Sequence, residues 1–517
     1  MKTNSKRSIE IERILILLGL LPFMFMMIGC WPFNQASQVV DCPQNGTAIS
    51  CQDYDTIFVK NPDNPNDSLG IPIKCNQVIF MPSDSPALKS FNEEIRDYLR
   101  RKCFEPEFTC PCTPAFELWE NRTTEGIDVG VVVAGAPRTS GGGADVGLLP
   151  NILLDTFEPE VSLSNVDSVR AGKSGCLPGE ASVTIAIVDT GIDTLVSPAR
   201  AYRAQQTQRE RSEPAHWQHY HENNLSCAPR RMNHQSSGIR FADAEFDASN
   251  VDYHSHGTAI HGVITGNSNI NFDGDVLLSI LNVKTTLGMT KQSYLFDNLC
   301  GINYAVKQNA QIINLSWGFK YFVSEEDSTL TNSLFTAFTK VIRANPNVIF
   351  VAAAGNDSMK LDRQKLFLPA SLTQTFGNLI SVGALGWYKS DTAICPFSNY
   401  SDHYSDYVDV YAPGYNIAVP YKMAYSRNAS DLSRATQAGR NNTSDNRSSP
   451  YLIKSGTSLA APYVVRVAAM LRSRYPQLQA GQIKGKIVDG ARIMKDEIKG
   501  IKYKVVILKN ENEICKY

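Results

Sequence analysis

From Ala181 onward the chain repeats one pattern, a short Val/Ile/Ala-rich run followed by a helical stretch. The runs are SVTIAIVD, VLLSILNV, AQIINLS, NVIFVAAAG, NLISVGA and YVDVYAPG. None alternates apolar with polar residues, so each is expected to be buried on both faces. A parallel sheet with helices packed on either side meets that demand. The pattern therefore predicts a three-layer α/β domain with a mostly parallel central sheet. At 517 residues, 43% of them hydrophobic and 20% charged, the chain can fill such a core and still build a second region. Fifty basic against fifty-one acidic side chains leave a net charge of −1, which removes any electrostatic case for nucleic acid.

The chain before residue 179 reads differently. Lys2, Lys6, Arg7 and Arg13 precede an apolar run from Ile14 to Gly29. The run falls short of the roughly 20 residues that a spanning helix needs, and reads as the core of a secretory signal. It ends in Met27-Ile28-Gly29-Cys30, which resembles a bacterial lipobox and makes Cys30 the expected lipidation site. An ordinary signal peptide or a short anchor are the alternatives. Residues 1–29 are thus read as a lipoprotein-type signal peptide. The remainder is expected to be exported as a bacterial membrane lipoprotein facing the periplasm or the cell surface.

Twelve cysteines fit an oxidising compartment, so disulfides are expected, with no pairing readable from spacing. Cys42, Cys51, Cys75, Cys103, Cys110 and Cys112 crowd a small α+β region, residues 30–178, read as a Cys-rich accessory or pro-region. Within it KNPDNPNDS reads as irregular, while NQVIFM, AFELWE and DVGVVVAG read as strands. Leu88, Phe91, Ile95 and Leu99 recur at helical spacing, and a Ser-Gly run at 140–143 reads as a connector. The α/β domain spans 179–517 and carries polar surface insertions near 195–250 and 425–449. His216, His219 and His221 fall in the first insertion and read as a solvated loop, so no metal ligand is assigned.

In a parallel sheet, chemistry gathers beyond the carboxyl ends of the strands. There the sequence places Asp189 after SVTIAIVD, Asn314-Leu315-Ser316-Trp317-Gly318 after AQII, and Asn356 after NVIFVAAAG. His256 in HSHGTAIHG and Ser458 in SGTSLAAPY each stand at an expected helix start, with Pro462 expected in the first turn of the Ser458 helix. Singly, each reads as a cap or a turn residue. Together they form the set that nucleophilic catalysis needs: a hydroxyl, a base, an acid that orients the base, and an amide donor.

IAIVDTGID, HSHGT, NLSWG, AAAGN and SGTSLAAP, supported by LPAS, ISVGA, FSNY and YAPG, resemble the successive signatures of subtilisin-like serine peptidases. The resemblance covers roughly residues 180–492. It implies a subtilisin-like three-layer fold and a serine endopeptidase acting through an acyl-enzyme. In it Asp189, His256 and Ser458 are the triad and Asn356 is the oxyanion donor. Ser316, Trp317, Gly318, Ala353, Ala354 and Gly355 correspond to the segments that hold an extended protein or peptide substrate. No cofactor is required; the family often binds structural calcium, but no calcium loop is assignable here. Ala259, Trp317, Leu459, Tyr463 and Arg466 depart from common family residues, and Trp317 is expected to narrow a pocket beyond the first. A catalytically weak binding or scaffold lipoprotein is the competing reading.

Overall fold

The computed structural model describes residues 54–154, 169–170, 181–192, 252–420 and 451–506, with short breaks inside these stretches. The signal sequence, Cys30, the Ser-Gly run, both polar insertions and His216, His219 and His221 lie outside the described residues. All described residues belong to one compact unit.

The first part is an antiparallel sheet. Its strands are β1 (Tyr54–Asn61), β2 (Asn64–Met81), β3 (Phe104–Thr109), β4 (Glu117–Asn121) and β5 (Gly147–Ile152), in the order β1-β2-β4-β3 with β5 also paired to β2. Helix α1 (Lys89–Arg101) buries Ile95 and Leu99, as their spacing predicts. Two expectations are corrected here. KNPDNPNDS is not irregular: β1 and β2 pair across it from Val59↔Leu69 to Asn61↔Asn64, so its Asn/Pro/Asp residues close a hairpin. DVGVVVAG is not a strand but helix α2 (Val129–Ala134). The Asp128 carboxylate accepts the Val131 N–H at 3.1 Å, and Val129, Val132 and Val133 are buried along one side. A cap and a tertiary contact outweigh the β-preference of valine.

The second part is the mixed, mostly parallel sheet. Strands β6 (Val183–Asp189), β7 (Leu278–Lys284), β8 (Ile312–Leu315), β10 (Ile349–Ala353), β12 (Leu379–Tyr388), β13 (Val410–Pro413) and β14 (Lys502–Val505) run parallel in the order β14-β13-β12-β10-β8-β6-β7. Strands Arg492–Lys495 and Asp391–Ile394 add antiparallel pairs at β14 and β12. A separate ribbon joins β9 (Phe319–Phe322) to β11 (Lys365–Leu368).

The absence of polar alternation has its reason in two cores. Ile185, Ile187, Ile312, Val351 and Val382 face helices α3 (His256–Thr265) and α6 (Thr457–Arg474). Ala186, Val188, Ile313, Phe350 and Ala352 face the other way, with α4 (Leu295–Lys307) and α5 (Ser328–Phe338). Neighbouring residues on one strand thus supply opposite layers.

The N-terminal sheet continues the second of these cores, sharing one cluster of buried side chains with α4 and α5. Its attachment is also polar. Buried Asn151 donates to Gln77 Oε1 at 2.8 Å and accepts the Phe296 N–H at 3.2 Å, while Lys340 Nζ donates to the Pro82 carbonyl at 3.0 Å.

Candidate active site

Asp189 is the last residue of β6 and His256 the first of α3, and their side chains meet with Nδ1 of His256 2.7 Å from Oδ1 of Asp189. Both are almost wholly buried, 2% and 4% exposed, so water competes little for that bond. Three features let helix and strand end approach. Gly191, at φ +109°, turns the chain after β6, and a Cβ on Gly257 would collide with the Gly191 carbonyl oxygen. The third feature is a residue that sequence reasoning passed over. Asp252 is 0% exposed and its two oxygens accept five hydrogen bonds. They come from the N–H groups of His254, Ser255 and Thr258 and from the hydroxyls of Thr258 and Thr190, at 2.8–3.0 Å. Thr190 in turn accepts the Gly257 N–H at 2.8 Å. The carboxylate thus takes one orphan donor of the first α3 turn, the Thr258 N–H, with the two N–H groups just before the helix, and ties that start to the residue after Asp189. The available signal was an Asp four residues before a helix-initial His.

Ser458 is the second residue of α6, and its hydroxyl is buried without a hydrogen-bond partner among the described residues. The helix begins at Thr457, two residues earlier than LAAPY alone indicates, so Pro462 stands in the second turn rather than the first. Proline has no N–H, so the Ser458 carbonyl four residues back lacks a helical donor. The Ser316 hydroxyl fills that place at 2.9 Å, and Asn314 Nδ2 donates to Ser316 Oγ at 2.9 Å. The end of β8 therefore holds the backbone of Ser458.

Asn356 follows Gly355 just beyond β10. Its Oδ1 accepts the Thr457 N–H at 2.9 Å and the Thr457 hydroxyl at 3.0 Å, and Thr457 Oγ1 accepts the Gly355 N–H at 3.1 Å. With the carbonyl end engaged this way, Nδ2 is the end left to point elsewhere. Asn399, from FSNY, clamps the same loop. It is 0% exposed; its Nδ2 donates to the Ala354 carbonyl at 2.9 Å and its Oδ1 accepts the N–H groups of Asp357 and Met359 at 3.0 and 2.9 Å.

Gly318 and Gly355 lie beyond the ends of adjacent parallel strands β8 and β10, with Ser316, Ala353 and Ala354 buried beside them. Trp317 is 1% exposed and packs into the core shared with α4 and α5. Ala259, Leu459 and Tyr463 are likewise core residues, and Arg466 donates to the Ile264 carbonyl near the α3 end at 3.4 Å. Burial pushes the His261 imidazole down to about 4, so it stands neutral in α3.

The Subtilase family model, Peptidase_S8, matches residues 180–506, well over half of the chain. The chain belongs to the subtilase family. Among relatives, this subtilase is 31% identical over 241 residues to a thermophilic serine proteinase of Bacillus sp. strain AK1, covering 46% of this chain and 47% of that protein. It is 25% identical over 263 residues to subtilisin DY of Bacillus licheniformis, covering 50% and 77%. For several of these relatives, the AK1 proteinase among them, the match spans only about half of their length. Fervidolysin from Fervidobacterium pennivorans shares the fold at a TM-score of 0.54 and 17% identity, over 86% of this chain and 61% of that one. The epidermin leader peptide processing protease EpiP of Staphylococcus aureus does so at 0.53 and 16%, over 84% and 98%. Both structural matches cover more of the subtilase than the family model does.

Proposed function

We propose that this subtilase is a serine endopeptidase in which Asp189, His256 and Ser458 form the triad. The observation that carries the reading is the 2.7 Å bond between Asp189 and His256. Nδ1–H donating to the carboxylate leaves Nε2 as the basic nitrogen. In the reaction Nε2 takes the Ser458 proton as Oγ bonds to the substrate carbonyl carbon. The negative charge passes to the carbonyl oxygen, where Asn356 Nδ2 and the Ser458 N–H donate to it. Collapse of the tetrahedral species breaks the C–N bond. The imidazolium gives its proton to the leaving amine, and water then hydrolyses the acyl-serine by the same steps.

Protein or peptide substrates follow from this reading, held in extended form along Ser316–Gly318 and Ala353–Gly355. The N-terminal sheet is a retained accessory layer, a reading supported by its shared core with α4 and α5. Export is supported by the signal pattern and by disulfide-bonded Cys75 and Cys103, and a lipid on Cys30 by the lipobox-like Met27-Ile28-Gly29-Cys30 alone.

Labelling by a fluorophosphonate tests the mechanism. One label per chain is expected in the wild type and none in Ser458→Ala. A folded wild-type protein that takes no label would replace this reading with the binding-protein one.

A further inference from the structure

The crevice between the ends of β8 and β10 is not empty behind its two glycines. The ring of Phe367, on β11, lies against both. A Cβ built on Gly318 would strike Phe367 Cε1 and stand 2.9 Å from Cζ. One built on Gly355 would stand 2.6 Å from Cδ2 and 2.8 Å from Cε2. One edge of the ring therefore faces Gly318 and the other faces Gly355, so the ring spans the space between the two backbones. Phe367 is 4% exposed, and its backbone is fixed on either side. Its N–H donates to Ser371 Oγ at 2.9 Å, and β11 pairs with β9 as Lys320↔Phe367 and Phe319↔Leu368. Rotating the ring away would take a large apolar surface out of the core.

The position of the ring bears on which peptide bond is cut, and this rests on the peptidase reading above. The reacting carbonyl has to lie within reach of both Ser458 Oγ and the Asn356 amide. Asn356 directly follows Gly355, so the substrate residue that owns that carbonyl lies beside Gly355. In an extended chain, successive side chains point to opposite faces. A side chain of this residue turned toward the sheet would enter the gap between the two glycine backbones, where Phe367 stands. We propose that Phe367 fills the recess for the side chain on the acyl side of the scissile bond, so that the enzyme cleaves after glycine, alanine and serine and rejects large side chains. Phe367 is thereby a specificity-determining residue that touches no reacting atom.

The test uses full-length protein and two tetrapeptide p-nitroanilides that differ only in the last residue, alanine or phenylalanine. Active sites are counted by fluorophosphonate. The wild type is expected to favour alanine by at least ~10-fold in kcat/KM, the scale on which pocket size discriminates. Phe367→Gly is expected to raise kcat/KM for the phenylalanine substrate by at least ~10-fold relative to alanine. Phe367→Leu, which keeps most of the apolar volume, is expected to fall between the two and covers the case of a glycine variant that does not fold. A labelled wild type that cleaves after phenylalanine as fast as after alanine overturns the inference and leaves the peptidase reading standing. So does an unchanged preference in both variants. A wild type that neither labels nor cleaves overturns the peptidase reading, and this inference with it.

Discussion

The Ser316 hydroxyl donates to the Ser458 carbonyl at 2.9 Å, replacing the helical bond that Pro462 is unable to make. Ser316→Ala leaves that buried carbonyl unpaired and should cost about 1–3 kcal/mol in urea unfolding. Adding Pro462→Ala supplies the missing N–H and should recover part of the loss. Additive losses in the double variant would show that the two residues do not share this carbonyl.

Thr457 sets the direction of the Asn356 amide through two bonds to Oδ1. Thr457→Val keeps the shape and the backbone N–H but removes the hydroxyl. It should lower kcat by about ten-fold, with KM little changed, because the amide proposed as an oxyanion donor is held less firmly. Asn356→Ala should lose ~10²–10³ in kcat, the size found when a subtilisin loses such a donor. Equal kcat in Thr457→Val and wild type would refute the orienting role.

Asp252 holds the start of α3 with five accepted bonds. In Asp252→Asn an NH2 group is turned toward donors, so at least one buried N–H or O–H loses its acceptor. A loss of about 3 kcal/mol in stability is expected, together with slower fluorophosphonate labelling from a displaced His256. A variant as stable and as reactive as the wild type would contradict this assignment.

His261 makes stability depend on acid. Its folded value of about 4 lies below the ordinary 6.5, so the unfolded chain binds the proton first as pH falls. Its neutral form is fully tolerated above 6.5, and stability declines between 6.5 and about 4, by about 3 kcal/mol in total. His261→Gln should flatten the unfolding free energy across that window. An identical slope in both proteins would place the acid sensitivity elsewhere.

Gly147 sits where β5 meets α5. A Cβ there would stand 2.7 Å from Met81 Cε and 3.0 Å from Ser333 Oγ. Gly147→Val should lower the melting temperature of the whole protein in one transition, because the sheet and α5 share a core. Separate melting of an N-terminal fragment would mean that the sheet is an independent domain.

Periodicity and local motif carried much of this protein. The unalternated runs imply a two-faced parallel sheet because every residue of such a strand needs an apolar neighbour above or below. Asp189, His256 and Ser458 stand at a strand end or in the first turn of a helix, and Asn356 in the loop beyond a strand, where side chains escape the layers and where the sequence pattern places them. Local reasoning failed at DVGVVVAG, where valine preference and an Asp cap pull in opposite directions, and at Pro462, where the helix start depends on Gly456 and Thr457.

What tertiary structure alone decided is which distant groups share a hydrogen bond or a recess. Ser316 and Ser458 lie 142 residues apart, and Thr190 and Asp252 lie 62 apart. Phe367 reads in sequence as one more core aromatic, and only the pairing of β11 with β9 brings its ring between Gly318 and Gly355. Spacing along a chain determines which face of an element a residue occupies. The packing of layers determines what that face meets, because contacts between elements depend on register and crossing geometry that no local pattern encodes.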